Sequence, residues 1–206
     1  AAASSVGNLI VWSTQLHPFW MGILVSVVVG VALTLPISSA AICAAFGLVG
    51  LAGGAAVAGC CAQMVGFAVM SFKENRWGGI LSQGLGTSML QMPNIIKNPK
   101  IWIPPTLTAA ITGPLATCLF KMEMNGAAVS SGMGTCGFVG QIGVITGWFS
   151  PSDVAIANGA SAIQPGVIDW LGLVLVCFVL PAVLTWGFGL ILRKFGWIKE
   201  GDLTLN

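Results

Sequence analysis

Charge is what this chain has least of. Lys and Arg together number 8 and Asp and Glu 6 among 206 residues, and none of the four occurs before Lys73. A soluble domain carries roughly a quarter of its residues charged, so there is too little charge here to solvate a globular surface. The net charge of +2 is too small to argue for a nucleic-acid partner. Tyrosine is absent, and histidine occurs once, at His17. A single histidine near the start gives no Ser/His/Asp or Cys/His catalytic arrangement. The cysteines (Cys43, Cys60, Cys61, Cys118, Cys136 and Cys177) form no C-x-x-C pair, so metal-ligand spacing is absent and no cofactor is expected. Most lie in apolar runs and read as small hydrophobes; a reactive thiol near Cys136 is the alternative. A secretory signal would begin with basic residues, and this start is uncharged. The chain opens Ala1-Ala2-Ala3-Ser4 without Met and is expected to be a piece of something longer.

What remains is apolar: 56% hydrophobic residues and a mean hydropathy of +0.92. This composition excludes disorder, collagen and coiled coil. It predicts an all-α integral membrane protein, with residues 1–206 forming one transmembrane domain. A crossing helix needs about 20 apolar residues. Spans are expected near 18–46, 51–72, 101–120 and 170–192. Pro36 should kink or break the first. Gly50, Gly53 and Gly54 mark the turn before the second. Trp102 and Trp170 anchor the third and fourth at an interface, and Arg193-Lys194 closes the last.

Two further uncharged stretches, 77–96 and 124–149, are rich in glycine and neutral polar residues. The positive-inside rule decides their fate. If neither crosses, Lys73, Arg76, Lys97, Lys100, Arg193, Lys194 and Lys199 share one side and only Lys121 lies on the other. The expectation is therefore four full transmembrane helices, both chain ends cytoplasmic, and two broken or re-entrant segments. Irregular backbone at membrane depth survives only where protein or a watery cavity satisfies it, so these two segments are where function is expected.

In the first, Gln83, Thr87, Gln91 and Asn94 recur at helical spacing and form one polar stripe. Met92-Pro93-Asn94 should end that helix. An interfacial helix usually carries Lys or Arg on its polar face; this stripe has neither. Neutral amides and hydroxyls suit an uncharged polar solute, with an interfacial or packing role as the alternative. In the second, Gly132-Met133-Gly134-Thr135-Cys136-Gly137 matches G-x-G-x-x-G. The dinucleotide reading is rejected, because it needs a preceding strand and a βαβ unit. Either a glycine-rich loop faces a ligand with Ser130, Ser131, Gly132, Gly134, Thr135 and Gln141, or small residues pack helices tightly, as Gly143 and Gly147 also suggest. Gly84-Leu85-Gly86-Thr87 echoes Gly132-Met133-Gly134-Thr135. Paired broken segments point to a transporter site, and the two motifs are expected to face each other across one cavity.

His17 reads as an interfacial anchor or as a solute or proton group. Glu123 reads as a surface neighbour of Lys121 or as a carboxylate bridging solute hydroxyls. Glu74, between Lys73 and Arg76, reads as a solvated face. Asp153 follows Ser152 as a turn or cap, and Asp169 caps the last span. Nothing forms a proton-relay ladder.

Several segments resemble one family: 15–24 (Gln15-Leu16-His17-Pro18-Phe19-Trp20), Leu35-Pro36-Ile37-Ser38-Ser39, 47–55, Met92-Pro93-Asn94 with Lys97-Asn98-Pro99, and Gly132 through Gly140. They resemble the enzyme IIC-like sugar permeases of the bacterial phosphotransferase system, which include the PfoR-like toxin regulators. The resemblance runs along nearly the whole chain. It implies a multi-pass protein of the bacterial cytoplasmic (inner) membrane, handling a sugar or polyol and commonly homodimeric. It also implies soluble phosphocarrier partners, IIA and IIB, that hold the phosphorylated residue, so this chain needs none of its own. Family members look longer at the start, so this chain is expected to be their C-terminal portion. The expected function is a sugar or neutral-solute permease working by alternating access. The alternative is a membrane sensor that binds a small molecule without transporting it.

Overall fold

The computed structural model describes residues 8–9 and 12–205. Residues 1–7, 10–11 and 206, part of the single domain expected over 1–206, lie outside the described residues. The described chain is helical and contains no strand, with one isolated antiparallel bridge between Gly50 and Met124.

Helix α1 spans Pro18–Thr34. His17 caps it, its Nδ1 accepting from the Phe19 amide at 3.5 Å, and Pro18 starts it without wasting a donor. The helix stops one residue short of Pro36, because the residue before proline is pushed out of the α region; Leu35 is extended at φ −70, ψ 156. Ser38 then caps a short α2, Ser39–Ala45, by accepting from the Ala41 amide at 3.1 Å. Helix α3, Gly50–Met70, runs through the middle of the protein and is almost wholly buried. Beyond it, α4 spans Phe72–Gly79. A π-helical stretch, Ile80–Gly86, a 3-10 turn, Ser88–Gln91, and α5, Met92–Lys97, follow in succession. Helix α6, Ile103–Pro114, extends through a π turn to Leu119. After irregular backbone and two 3-10 turns come α7, Val139–Phe149, and the short α8, Asp153–Ala157. The last helix, α9, covers Val167–Lys194 with a π turn at Leu175–Val179. Only α3 and α9 among the described helices are long and apolar enough to cross a membrane unaided.

Contacts fix the direction of each helix. On α1 against α6, Gly22 meets Thr117 and Pro114, and Ser26 Oγ donates to the Ala109 carbonyl at 2.7 Å; these two run antiparallel. On α1 against α3, Ser26 meets Gly59 and Thr34 Oγ1 donates to Gln63 Oε1 at 3.3 Å, so these two run the same way. The chain must therefore return between Thr34 and Gly50, and α2 is that return. Pro36 breaks the 18–46 stretch, one of the two outcomes expected of it, and the chain reverses there rather than continuing as one span. On α9 against α3, Thr185 meets Gly66 and Met70 meets Gly189, again parallel.

Charge sits at the ends of this bundle. Arg193 donates to Glu74 Oε1 at 2.7 Å and to the Met70 carbonyl at 3.2 Å. Lys73 pairs with Glu200, and Lys100 lies 5.0 Å over the Trp197 ring. The lysines and arginines expected on one side thus gather at the Met70 end, while Lys121 follows Leu119 at the other. Glu74 is not the solvated face expected from its neighbours. Its side chain is 7% exposed and paired across the fold. Pro18 lies at the Lys121 end, since Thr117 Oγ1 donates to the Pro18 carbonyl at 2.9 Å.

Close backbone approach holds these helices together, as expected where apolar attraction between helices is weak. A Cβ at Gly59 would sit 1.8 Å from the Ser26 carbonyl oxygen, whereas one at Gly187 would meet nothing within 4 Å. Gly59→Ala should therefore cost about 1–3 kcal/mol by overpacking. Gly187→Ala should be neutral or gain a few tenths from helix propensity. Thermal unfolding of the two variants in one detergent checks the contrast.

Candidate functional site

The two segments singled out by sequence enter from opposite ends and meet. From the cationic end, the 77–97 segment folds inward. Gln83 and Ser88 are fully buried, and Ser88 Oγ lies 2.8 Å from Thr34 Oγ1 beside Gln63. From the other end, the backbone beyond Lys121 passes the start of α3. Gly50 and Met124 exchange both backbone hydrogen bonds at 3.0 Å. The chain then descends along α3: Ser131 donates to the Leu48 carbonyl, Ser39 donates to the Gly132 carbonyl at 2.7 Å, and Gly134 lies against Cys60. At its deepest point Thr135 Oγ1 donates to the Gly84 carbonyl, with Met64 Sδ at 3.6 Å. The two Gly-apolar-Gly-Thr motifs thus do meet. They touch directly, Thr135 against Gly84, rather than across a cavity. Helix α7 then climbs back, its Gly143 against Ser130 and its Gly147 against Asn125.

Glycine permits this path. Gly134 and Gly137 take φ of +52 and +53, which side-chain-bearing residues rarely adopt. A Cβ on Gly132 would lie 2.6 Å from the Ser39 backbone. Close packing is therefore realised throughout 131–147. The nitrogen of Gln141 contacts Cys61 Sγ at 3.2 Å, and its oxygen is buried without a partner among the described residues.

The polar stripe of the first segment is only partly as expected. The π-helical stretch adds residues to each turn and breaks the 3.6-residue register, so Thr87 leaves the stripe. It is extended, at φ −159 and ψ 143, and caps the next turn by accepting from the Met89 amide at 3.2 Å. Gln83, Gln91 and Asn94 come together as a chain of amides. Gln83 donates to Ser71 Oγ, Gln91 donates to Gln83 Oε1, and Asn94 donates to Gln91 Oε1, each at 2.8 Å. Gln91 and Asn94 also donate to the carbonyls of Leu203 and Thr204 at 3.0 and 2.9 Å. Asn75 brackets the same strap, donating to the Leu203 carbonyl at 2.7 Å and accepting from the Leu205 amide at 2.8 Å. The 198–205 strap thus closes the inward side of the amide chain, with Leu203 fully buried. Pro93 does not end a helix but lies in the first turn of α5, the one place where proline loses no helix bond.

A cavity of about 720 Å³ lies beside the strap, lined by Asn75, Ser82, Thr87, Asn94 and Thr204. At the opposite end, a cavity of about 310 Å³ is lined by Lys121, Glu123, Asn125, Trp148, Ser161 and Asp169. Glu123 is exposed and its Oε2 accepts from Asn125 Nδ2 at 2.8 Å; no ion pair to Lys121 forms. Asp169 accepts from the Gly166 amide at 2.7 Å, the cap expected of it. His17 is exposed at the start of α1 and acts as that helix's cap. No cluster of metal-ligating side chains occurs among the described residues.

Sequence reading missed the centre of the polar network. Gln63 is fully buried on α3, accepting from Thr34 Oγ1 at 3.3 Å and Trp102 Nε1 at 3.0 Å and donating to Thr106 Oγ1 at 3.3 Å. Its signal was available: it is the one amide inside the apolar run of α3, and a buried polar group needs partners.

A family model described as "Phosphotransferase system, EIIC" matches residues 1–205. No curated protein and no solved structure matches the chain.

Gln91 stands in the middle of the amide chain. Gln91→Leu leaves Gln83 Oε1 and one Asn94 donor unmatched and should cost about 1–3 kcal/mol. It should also raise hydrogen exchange at 203–205. Thr87→Val should lose about 0.5–1 kcal/mol with its cap on the Met89 amide and leave exchange at 203–205 unchanged. Exchange mass spectrometry on the two variants separates these outcomes.

Proposed function

Since the chain belongs to the EIIC family of the phosphotransferase system, we propose that it moves a sugar or another neutral polar solute through the membrane by alternating access. The observation that carries this reading is the meeting of two broken segments, one from each end, at Thr135 and Gly84. Paired broken segments are how transporters build a site near the bilayer midplane. The groups at the meeting point, Gly84, Thr135, Met64 and Ala68, carry no charge, and the buried network of Thr34, Gln63 and Ser88 is neutral as well. Hydroxyls and amides can trade partners with a sugar one for one, leaving no buried charge unmatched.

Helix directions support a membrane placement as part of the proposal. α3, α6 with its π extension, and α9 make three crossings. The 18–49 stretch is a hairpin entering from the Lys121 side, and 128–149 a second one beside it. In this proposal there are three crossings in place of the four expected, with the start of α1 outside. The cationic end faces the cytoplasm under the positive-inside rule. EIIC proteins work with IIA and IIB components, and those would meet this face. Homodimerisation is part of the proposal.

In this reading the solute enters the outer cavity. Glu123 and Asn125 offer acceptor and donor to its hydroxyls, and Trp148 offers an apolar ring face. It leaves through the inner cavity at Ser82, Thr87 and Asn94. Ser131, Gly132, Gly134 and Gln141 carry the outer hairpin, and Gln83 and Gln91 the inner segment. The structure is closed at both places between them: Thr135 against Gly84, and the 198–205 strap across the amides. Transport requires the hairpin to swing on its left-handed glycines, Gly134 and Gly137, exchanging the Thr135 bond for one to solute.

The test is uptake of labelled sugars and polyols into vesicles, with and without phosphoenolpyruvate and the soluble phosphocarriers. One solute should accumulate as its phosphate only when both are supplied. Asn94→Ala and Glu123→Gln should each weaken apparent solute affinity by roughly tenfold, the worth of one or two hydrogen bonds. No uptake of any solute by folded, inserted protein contradicts the reading.

A further inference from the structure

A groove of about 710 Å³ lies at the cationic end, between the end of α3, the turn at Lys73–Arg76 and the last turns of α9. Its two halves differ in kind. One side is apolar, built by Val69, Met70, Phe72, Trp186 and Leu190. The rim carries the exposed Lys73, Arg76, Lys199 and Glu200, and Arg193 lines the groove largely buried. Lys73 is paired with Glu200 and Arg193 with Glu74. The side chains of Arg76 and Lys199 have no ion pair or hydrogen bond among the described residues. Two cations therefore stand unpaired over an apolar trough.

A second observation singles out Arg76. Its backbone is held at φ 51, ψ −145, a region that residues with a side chain rarely occupy and glycine takes freely. Strain of this kind persists where the surrounding structure uses it. Here the residue so held lines the groove and is exposed.

A third observation concerns the sides of the groove. Val183, Trp186 and Leu190 fall on one face of α9 and are exposed, Trp186 by 55%. The apolar wall thus runs out of the groove along the helix, away from the cations. A ligand matching both halves has a negative head and a long apolar tail. Inorganic phosphate or a phosphorylated sugar would satisfy the rim and leave the wall unmatched.

We propose that this groove binds one anionic glycerophospholipid of the membrane leaflet at the cationic end. Its phosphate sits between Arg76 and Lys199, and its acyl chains follow Trp186 and Leu190 down α9. Cationic pockets beside transmembrane helices recognise anionic headgroups in this way, each Lys or Arg adding to the attraction. The inference rests on the membrane placement proposed above and not on the transport cycle.

The test uses the full chain purified in a neutral detergent, titrated with phosphatidylglycerol, phosphatidylcholine or inorganic phosphate. Thermal stability and native mass spectrometry are the readouts. Phosphatidylglycerol should raise the melting temperature and stay bound as one molecule per chain. Phosphatidylcholine should bind roughly tenfold more weakly or worse. Inorganic phosphate should neither stabilise nor compete. Arg76→Gln with Lys199→Gln should remove the preference for phosphatidylglycerol. Arg76→Gly guards against a folding failure: relief of the positive φ should raise the basal melting temperature while the response to phosphatidylglycerol falls. Equal binding of the two lipids, retention by either variant, or full competition by phosphate overturns the proposal. If phosphatidylglycerol fails to bind a protein that still accumulates sugar, this inference falls and the transport reading stands.

Discussion

Backbone that leaves the helix cannot leave its polar groups unmatched where water is excluded. That constraint orders the whole of this protein. Its helices break at Leu35–Ser38, over 80–91 and between Lys121 and Phe138. The last of these breaks bonds to the other irregular parts of the chain at several points. Met124 pairs with Gly50, Ser131 with Leu48, Ser39 with Gly132, and Thr135 with Gly84. These bonds tie the 121–138 segment to the 39–50 return on one side and to the 80–91 stretch on the other. The same constraint explains the close glycines. A carbonyl or amide on one broken segment must come within hydrogen-bond reach of its neighbour, and a Cβ at Gly54 would stand 1.8 Å from the Met122 carbonyl oxygen.

Charge is excluded from this interior network. Gln63, Gln83, Gln91 and Asn94, with the threonines and serines around them, are buried and paired. An unpaired ion at the same depth would cost several kcal/mol, while an amide with partners costs little. Networks of neutral groups can also be rearranged, since one acceptor can replace another without a change of charge. The closed contacts at Thr135 and at the 198–205 strap are therefore held by interactions that a hydroxyl-rich solute could take over. The ionic contacts, Arg193 with Glu74 and Lys73 with Glu200, lie at the cationic end, away from that exchange.

Much of this was legible from residue type alone. The last helix ends at Arg193-Lys194, and Pro36 ends the first. The lysines and arginines gather at one end. The repeated Gly-apolar-Gly-Thr motif marked the two segments that touch. What was not legible was long-range. Nothing near Pro36 says that the chain reverses there rather than kinks; that depends on α1 packing parallel to α3. Periodicity assumed 3.6 residues per turn over 77–96, and the π-helical stretch moved Thr87 off the stripe. Glu74 looked solvated beside Lys73 and Arg76, yet its partner lies 119 residues away. The 203–205 strap that saturates Asn94 and Gln91 carries no motif at all. Gln63 was the exception: a lone amide in a buried run was a signal that went unused.

The central claim is that the two broken segments meet to close the path and part to open it. Spin labels at the exposed Met89 and Phe138, in a cysteine-depleted variant that retains uptake, report their separation directly. Pulsed dipolar spectroscopy should give two distance populations whose ratio shifts when the transported solute is added. A single narrow distance, unchanged by solute in a protein that still transports, would contradict the account.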